Sequence, residues 1–458
     1  PFFLSDALLK RFDIVGMDPR GVGFSDDVRC FSSEGTQTAA LKGMTPFFPV
    51  GAKQEKAYLR SAQKLATGCA TTGRTLASSM STAEVARDME VMRRAVGDKK
   101  LNYLGFSYGS ALGEYYANMF PDRFRALAID GTINPTAWVG TAKTRGMVQD
   151  ERLRSADGAY RALQEMLKRC EKAGSTRCEF AGPNVPQKFK TLADRLRKNP
   201  LKVGTLSLSY ADFIGVVLQL LYLPTGSELI SLLAAELWTL TNTSPASAET
   251  AAVAAFTRQF GRSFPYDNSI DAYTSVMCTD GLHPAHASSW PKLAAAADKR
   301  APYFGRAWAW ASVQCAGDTW KVLDEDAYRG PFNRRTANPV LVVGSYWDPA
   351  TNYQDAVKTA KLMPNSRLLS SANWGHTAYG TSSCADKGID QYLLYRALPA
   401  KGTVCVGQDQ PFTTPLIDTV VILSGQSAAL SLRTPTKADF ASRGLPAPGA
   451  PKQLPPVH

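Results

Sequence analysis

A chain of 458 residues exceeds the roughly 250 to 300 residues at which a single hydrophobic core stops growing, so two domains or one domain with a large insertion are expected. With 44% hydrophobic and 20% charged residues the composition is that of a soluble globular protein, and no apolar run reaches the roughly 18 residues that cross a bilayer, which excludes a membrane-spanning helix. The 52 Lys and Arg against 40 Asp and Glu give a net charge of +12; these residues are scattered, as at Arg93-Arg94, Lys99-Lys100 and Arg334-Arg335, without a long run or interleaved aromatics, so they read as a solvated basic surface and exclude a nucleic-acid interface.

The first residues, Pro1-Phe2-Phe3-Leu4-Ser5-Asp6, lack the basic start and apolar stretch of a signal peptide, as expected of a cytoplasmic protein or of one already processed. Phe12 to Asp18 reads as a short buried strand stopped by Pro19-Arg20-Gly21-Val22-Gly23. The Gly21-x-Gly23 pair does not make a dinucleotide fingerprint, because Asp26 stands where the third glycine belongs. Val85, Met89, Met92 and Val96 recur at helical spacing behind Ser81 or Thr82, predicting a helix from Thr82 through Val96. An apolar strand then runs into Gly105-Phe106-Ser107-Tyr108-Gly109. A helix to about Phe120, ended by Pro121-Asp122, and a strand from Phe124 to Ile129, closing at Asp130-Gly131, follow; strand, helix, strand at this spacing argues for a parallel sheet.

From about Pro135 to Thr336 the alternation is lost and the chain reads as mostly helical, with Val217 to Leu240 especially apolar. Pro339 to Gly344 resumes the buried-strand pattern, followed by a helix near Tyr353 to Leu362, a strand at Ser366 to Ser371 and a last helix at about Gly388 to Ala397. The tail, Pro446 to His458, is rich in proline and is expected to be extended or disordered. The fold class is α/β: a mostly parallel sheet with a large, mainly helical cap insertion. Its expected divisions are residues 1–134 (first part of the core), 135–336 (cap), 337–410 (second part of the core) and 411–458 (terminal segment).

Gly-x-Ser-x-Gly between a strand and a helix is the nucleophile elbow of an α/β hydrolase: flanking glycines remove the Cβ atoms that would clash in the sharp turn presenting Ser107. A serine hydroxyl is a poor nucleophile at neutral pH and needs an imidazole base oriented by a carboxylate. There are four histidines. His458 ends the tail and His283 and His286 lie in the expected cap, whereas His376, in Asn373-Trp374-Gly375-His376-Thr377, sits in a loop after a core strand and is the expected base. The acid should lie between serine and histidine in chain order. Asp348, directly after the Val340 to Val343 strand, meets this; Asp130 is the competitor, its other role being to cap or bond the following loop. The backbone N–H of Tyr108 is one expected oxyanion donor, and the second should come from a glycine-rich loop upstream of the Phe12 strand. Residues 1 to 11 hold no such loop, so the upstream strands and oxyanion loop are expected from a preceding portion of the chain or from another polypeptide, an N-terminal fragment. His283-Pro284-Ala285-His286 is too sparse a donor set for a metal site, and no cofactor is expected.

Eight cysteines without a C-x-x-C argue against zinc ribbons and thiol redox sites and for disulfides, hence for export with a removed signal peptide. Sequential pairing, Cys30-Cys69, Cys170-Cys178, Cys278-Cys315 and Cys384-Cys405, is one choice among about 105 connectivities. Cys170 and Cys178 enclose a short polar loop suited to a staple.

With these residues assembled, the chain resembles the secreted tripeptidyl aminopeptidases of actinobacteria, in the proline iminopeptidase-like branch of the α/β hydrolases. The matching pieces are Phe12 through Ser25, the elbow Gly105 through Ser110, Ile129-Asp130-Gly131, Val342 through Thr351 and Trp374-Gly375-His376-Thr377. The resemblance implies an exopeptidase that removes short peptides, tripeptides in the family, from free N-termini of peptides or proteins, with the cap admitting only chain ends. A substrate ammonium then needs a cap carboxylate, for which Asp280 is the candidate. The family also has a Gly-Gly-Pro-Gly-like oxyanion loop before the Asp13 strand, where this sequence departs from it. Two other functions compete: a carboxylesterase or lactonase using Ser107, Asp348 and His376, since acyl transfer does not distinguish ester from amide at those three residues, and a non-catalytic binding protein of the same fold.

Overall fold

The computed structural model describes residues 4–45, 47–203, 206–242 and 266–413; His458 and the Pro446 to His458 tail lie outside them. The strands are β1 (Leu101–Phe106), β2 (Phe124–Asp130), β3 (Leu201–Val203), β4 (Leu206–Leu208), β5 (Val340–Trp347), β6 (Ser366–Trp374) and β7 (Val404–Val406). Five of them form a parallel sheet in the order β1-β2-β5-β6-β7, while β3 and β4 pair as a separate antiparallel hairpin. The helices that matter below are α1 (Ala52–Ala70), α2 (Thr82–Ala95), α3 (Tyr108–Met119), α4 (Gln149–Leu153), α5 (Ser155–Ala173), α6 (Val185–Lys198), α7 (Tyr210–Leu221), α8 (Gly226–Asn242), α9 (Ser269–Asp280), α10 (Trp290–Arg300), α11 (Phe304–Trp310), α12 (Tyr353–Leu362) and α13 (Ser383–Tyr395).

Successive side chains of a strand point to opposite faces, and β2 and β5 use both. Leu127, Ile129, Val340 and Val342 pack with α2, α3 and α12 on one face, while Ala126, Ala128, Leu341 and Val343 pack with α13 on the other. Burial on both faces is why these strands read as unbroken apolar runs. The helix α2 is started by Ser81, whose side chain accepts the Glu84 amide, and turns Val85, Ala86 and Met89 inward.

Between β2 and β5 the chain builds the helices α4 to α11 and the β3–β4 hairpin. The long apolar stretch from Val217 to Leu240 is not one helix but parts of α7 and α8, broken where Pro224 and Gly226 interrupt it. These helices surround their own core, with Phe189, Phe213, Trp290 and Trp310 fully buried. Phe48 and the α1 residues Tyr58 and Ala62 join that core, whereas Met277, Trp320 and Phe332 join the core under the sheet; packing thus crosses the divisions read along the chain.

The segment from Phe12 to Asp18 corrects the sequence expectation. Among the described residues it pairs with no strand, and Ile14 and Val15 are exposed, at 43% and 72%. An apolar run records the tendency to be covered on both faces; a strand also needs a neighbour for its amides and carbonyls, and here none lies alongside. Residues 6–9 just before it form a short helix. Two later elements are longer than their patterns suggest, because β6 continues to Trp374 and α13 starts at Ser383, capped by Ser382.

The bridges Cys30–Cys69, Cys170–Cys178, Cys278–Cys315 and Cys384–Cys405 are present in the structure, and no cysteine is free. No helix of the described residues is long and apolar enough to cross a membrane.

Candidate active site

The chain reverses from β1 into α3 at a single residue. Ser107 takes φ 54° and ψ −120°, a conformation that costs a residue with a Cβ and is held only by its surroundings. Gly105 permits the close approach: a Cβ there would stand 2.3 Å from the Gly109 carbonyl oxygen. The Ser107 amide donates to the Asp130 carbonyl at 2.9 Å, and the residue lies in the wall of a cavity of about 590 Å³. Tyr108, the first residue of α3, shares that wall; its N–H is one of the first-turn donors that no carbonyl of the helix accepts.

Asp348 and His376 follow the ends of the adjacent parallel strands β5 and β6, so all three residues emerge at the carboxyl edge of the sheet, where open α/β sheets place ligands. Gly375 makes the turn before His376, at φ +85° and with the Tyr222 carbonyl 2.9 Å from where a Cβ would be. His376 Nδ1 is 2.9 Å from Oδ2 and 3.0 Å from Oδ1 of Asp348. That contact suits a tautomer with the proton on Nδ1, leaving Nε2 as an acceptor. Nε2 is buried with no hydrogen-bond partner among the described residues, so a Ser107–His376 hydrogen bond is not closed; such bonds often tighten only around substrate.

Asp348 is fully buried. It also accepts from the amides of Ala350 and Thr351, both at 2.8 Å, from Thr351 Oγ1 at 2.8 Å and from the Thr377 amide at 3.1 Å. Burial opposes its charge, but His376 and the donors hold the carboxyl below its ordinary value. Burial also opposes an imidazolium at His376, yet the charge of Asp348, with a lesser contribution from Asp130, lifts the imidazole above its ordinary value. A base of this kind can accept a hydroxyl proton and stabilise the resulting cation.

Asp130, the competing acid, is used differently. Its carboxylate accepts from the amides of Ala378, at 2.9 and 3.0 Å, and Tyr379, at 2.8 Å, pinning the loop that carries His376. Burial pushes its carboxyl up to about 6. Asp280 is corrected more fully. It does not reach the cavity wall; its oxygens accept from the Thr82 amide and hydroxyl and from Trp138 Nε1, which ties the start of α2 to the chain after β2 and leaves no oxygen for a substrate. His283 faces the Met277 carbonyl through Nε2, and burial drives its imidazole down to about 3. His286 is exposed beside Asp318; the two do not converge.

Sequence reasoning missed most of the cavity wall. Trp138, Tyr222, Tyr273 and Trp308 line it from the segment between β2 and β5. The Tyr222 ring packs on the His376 ring at 5.0 Å between centroids, and its carbonyl accepts the His376 amide at 2.9 Å. No local pattern marks these residues, because only the tertiary path of the segment between β2 and β5 brings them to Ser107. Thr351 was within reach, since a hydroxyl three residues after Asp348 is placed to bond it.

Residues 1–158 match the family model described as alpha/beta hydrolase fold, and residues 301–405 match the one described as TAP-like protein. The tripeptidyl aminopeptidase of Streptomyces coelicolor is 30% identical over 421 residues, covering 89% of this chain and 71% of that protein. The chain belongs to the tripeptidyl aminopeptidase family of α/β hydrolases. Two further relatives, both from Mycobacterium tuberculosis, are the serine protease Hip1, 26% identical over 86% of this chain and 75% of that protein, and carboxylesterase B, 28% identical over 88% of this chain and 75% of that protein. Membership of this serine hydrolase family agrees with the parallel sheet and with the resemblance read from the motifs.

Proposed function

We propose that this family member is a secreted serine exopeptidase that releases short peptides, tripeptides foremost, from free N-termini. Ser107 Oγ attacks the scissile carbonyl as His376 Nε2 takes its proton, and Asp348 steadies the imidazolium. The Tyr108 N–H donates to the oxyanion. His376 then passes the proton to the leaving amine, and water hydrolyses the acyl-enzyme by the reverse sequence. The reading rests on one observation: His376 is held through Nδ1 by a buried Asp348 while Nε2 stays unpartnered, at the sheet edge from which the Ser107 elbow emerges. The tripeptidyl aminopeptidase relatives support the substrate class. The helices of residues 135–336 act as a cap that narrows the cavity to chain ends, and four disulfides accord with an oxidising compartment.

The test compares tripeptide anilides with free and acetylated N-termini, alongside short acyl esters and fluorophosphonate labelling of Ser107. Labelling with preferential cleavage of the free tripeptide is expected; equal rates on the blocked peptide would sink the exopeptidase reading. A second reading, an esterase using the same three residues, is favoured by the carboxylesterase B relative. It requires ester turnover without cleavage of either anilide.

A further inference from the structure

A peptide entering by its free N-terminus brings a primary ammonium into the cavity, and an ammonium withdrawn from water needs a carboxylate in exchange. With Asp280 engaged elsewhere, the wall that holds Ser107 offers two others, Asp150 and Asp355. Asp150 is already satisfied: Oδ1 accepts the Ala156 amide and Oδ2 pairs with Arg300 Nη2, each at 2.9 Å. Asp355, in the first turn of α12, is not. It is 2% exposed and its Oδ1 receives no hydrogen bond. Lys358 Nζ forms an ion pair with that oxygen at 3.6 Å, too long for a hydrogen bond, from a side chain that is half in solvent, and the Asn134 amide also reaches the carboxylate.

The neighbourhood adds to this. Glu114 of α3 is fully buried with neither carboxylate oxygen hydrogen-bonded, and burial together with the charge of Asp355 pushes its carboxyl well above the ordinary range. Burial and the Asp355 charge thus disfavour a second negative charge at Glu114. Burial also lifts the Asp355 carboxyl to about 7, an expense that an incoming cation offsets. Asp355 lies seven residues beyond Asp348, in the first turn of the helix that follows β5, so one strand–helix unit carries both carboxylates.

We propose that Asp355 is the subsite that receives the N-terminal ammonium of the substrate, its Oδ1, which is ion-paired with the half-exposed Lys358 but holds no hydrogen bond, accepting one from that group. The assignment rests on the exopeptidase reading above. It makes Asp355 a binding residue carried by the hydrolase core, whereas the cap walls supply apolar contact.

The experiment measures kcat/KM of the full chain and of Asp355→Asn on a tripeptide anilide with a free N-terminus and on its acetylated form, each normalised to the Ser107 sites titrated by fluorophosphonate. The expected result is a fall of about 10- to 100-fold in the free-to-blocked ratio, carried mainly by KM. Asp355→Glu, which keeps the carboxylate, should restore most of the preference, a response that a purely packing role would not give. An unchanged ratio in Asp355→Asn, or an equal loss on both substrates, overturns the proposal. If Asp355→Asn does not fold, Asp355→Ser is read in the same way. A wild-type protein that cleaves both forms equally refutes the exopeptidase reading itself, whereas a wild-type preference that survives Asp355→Asn refutes only the assignment of Asp355.

Discussion

The rings of Trp347 and Trp374 stack at 5.1 Å between centroids and 19° between planes, one residue before Asp348 and two before His376. The pair closes the β5–β6 ladder at its carboxyl end, where Trp347 and Trp374 face each other just past a shift in register. Arg169 of α5 lies over the Trp374 ring at 5.2 Å. The stacked indoles thus join the two strand ends from which the acid and the base emerge. Replacing the buried Trp374 by alanine should cost about 3 to 5 kcal/mol of stability and lower kcat more than it raises KM. Denaturant unfolding and steady-state kinetics on the same sample check both; an unchanged kcat in a destabilised protein would mean the stack supports the fold but not the acid–base spacing.

Ser107→Ala and His376→Ala should each reduce turnover by about four to six orders of magnitude, because each removes a group that forms or transfers a bond. Ser107→Ala should leave the melting temperature close to that of the parent, whereas His376→Ala, which leaves the buried Asp348 without its partner, should lower it while the protein still folds. Rates at high enzyme concentration with calorimetry decide it. Residual activity near one per cent in either variant would require a different nucleophile or base.

The pH profile follows from His376. Catalysis needs the neutral imidazole, and the charge of Asp348 favours the cation against the opposing effect of burial, so the acid limb of kcat/KM should lie above the ordinary histidine value of about 6.5. In Asp348→Asn that support is gone. The limb should move to lower pH while kcat falls by about 10⁴-fold. A limb that does not move would mean that it reports another group.

Stability should run the other way with pH from what is usual for surface carboxylates. Burial raises Asp130, Asp150 and Asp280 to about 6 and Asp355 to about 7. Between the unfolded carboxylate range near 4 and those values, the folded chain holds more protons than the unfolded one, so unfolding free energy falls as pH rises. His283, driven down to about 3, opposes this trend by a single proton below its unfolded value. Chemical denaturation at pH 5 and pH 8 should show the protein more stable at pH 5; the reverse order would mean that these carboxyls are ionised in the folded state.

What the amino-acid order determines by itself is whatever depends on neighbours along the chain. The glycines around Ser107, the Ser81 cap, the apolar runs of β2 and β5, and the placing of Asp348 and His376 just after strands are local facts of sterics and period, and they are legible as such. What only the tertiary structure decided depends on partners distant in sequence. The run from Phe12 to Asp18 looks like a strand, but pairing is a property of two segments, and among the described residues no second one lies alongside. Asp280 and Asp355 are indistinguishable as letters, each an aspartate on a helix. Their difference comes from what surrounds them, since Thr82 and Trp138 satisfy the first while one oxygen of the second, ion-paired with the half-exposed Lys358, receives no hydrogen bond in the wall beside Ser107. A carboxylate's function follows its unsatisfied valence and its burial, and both are set by groups that the chain brings together only on folding.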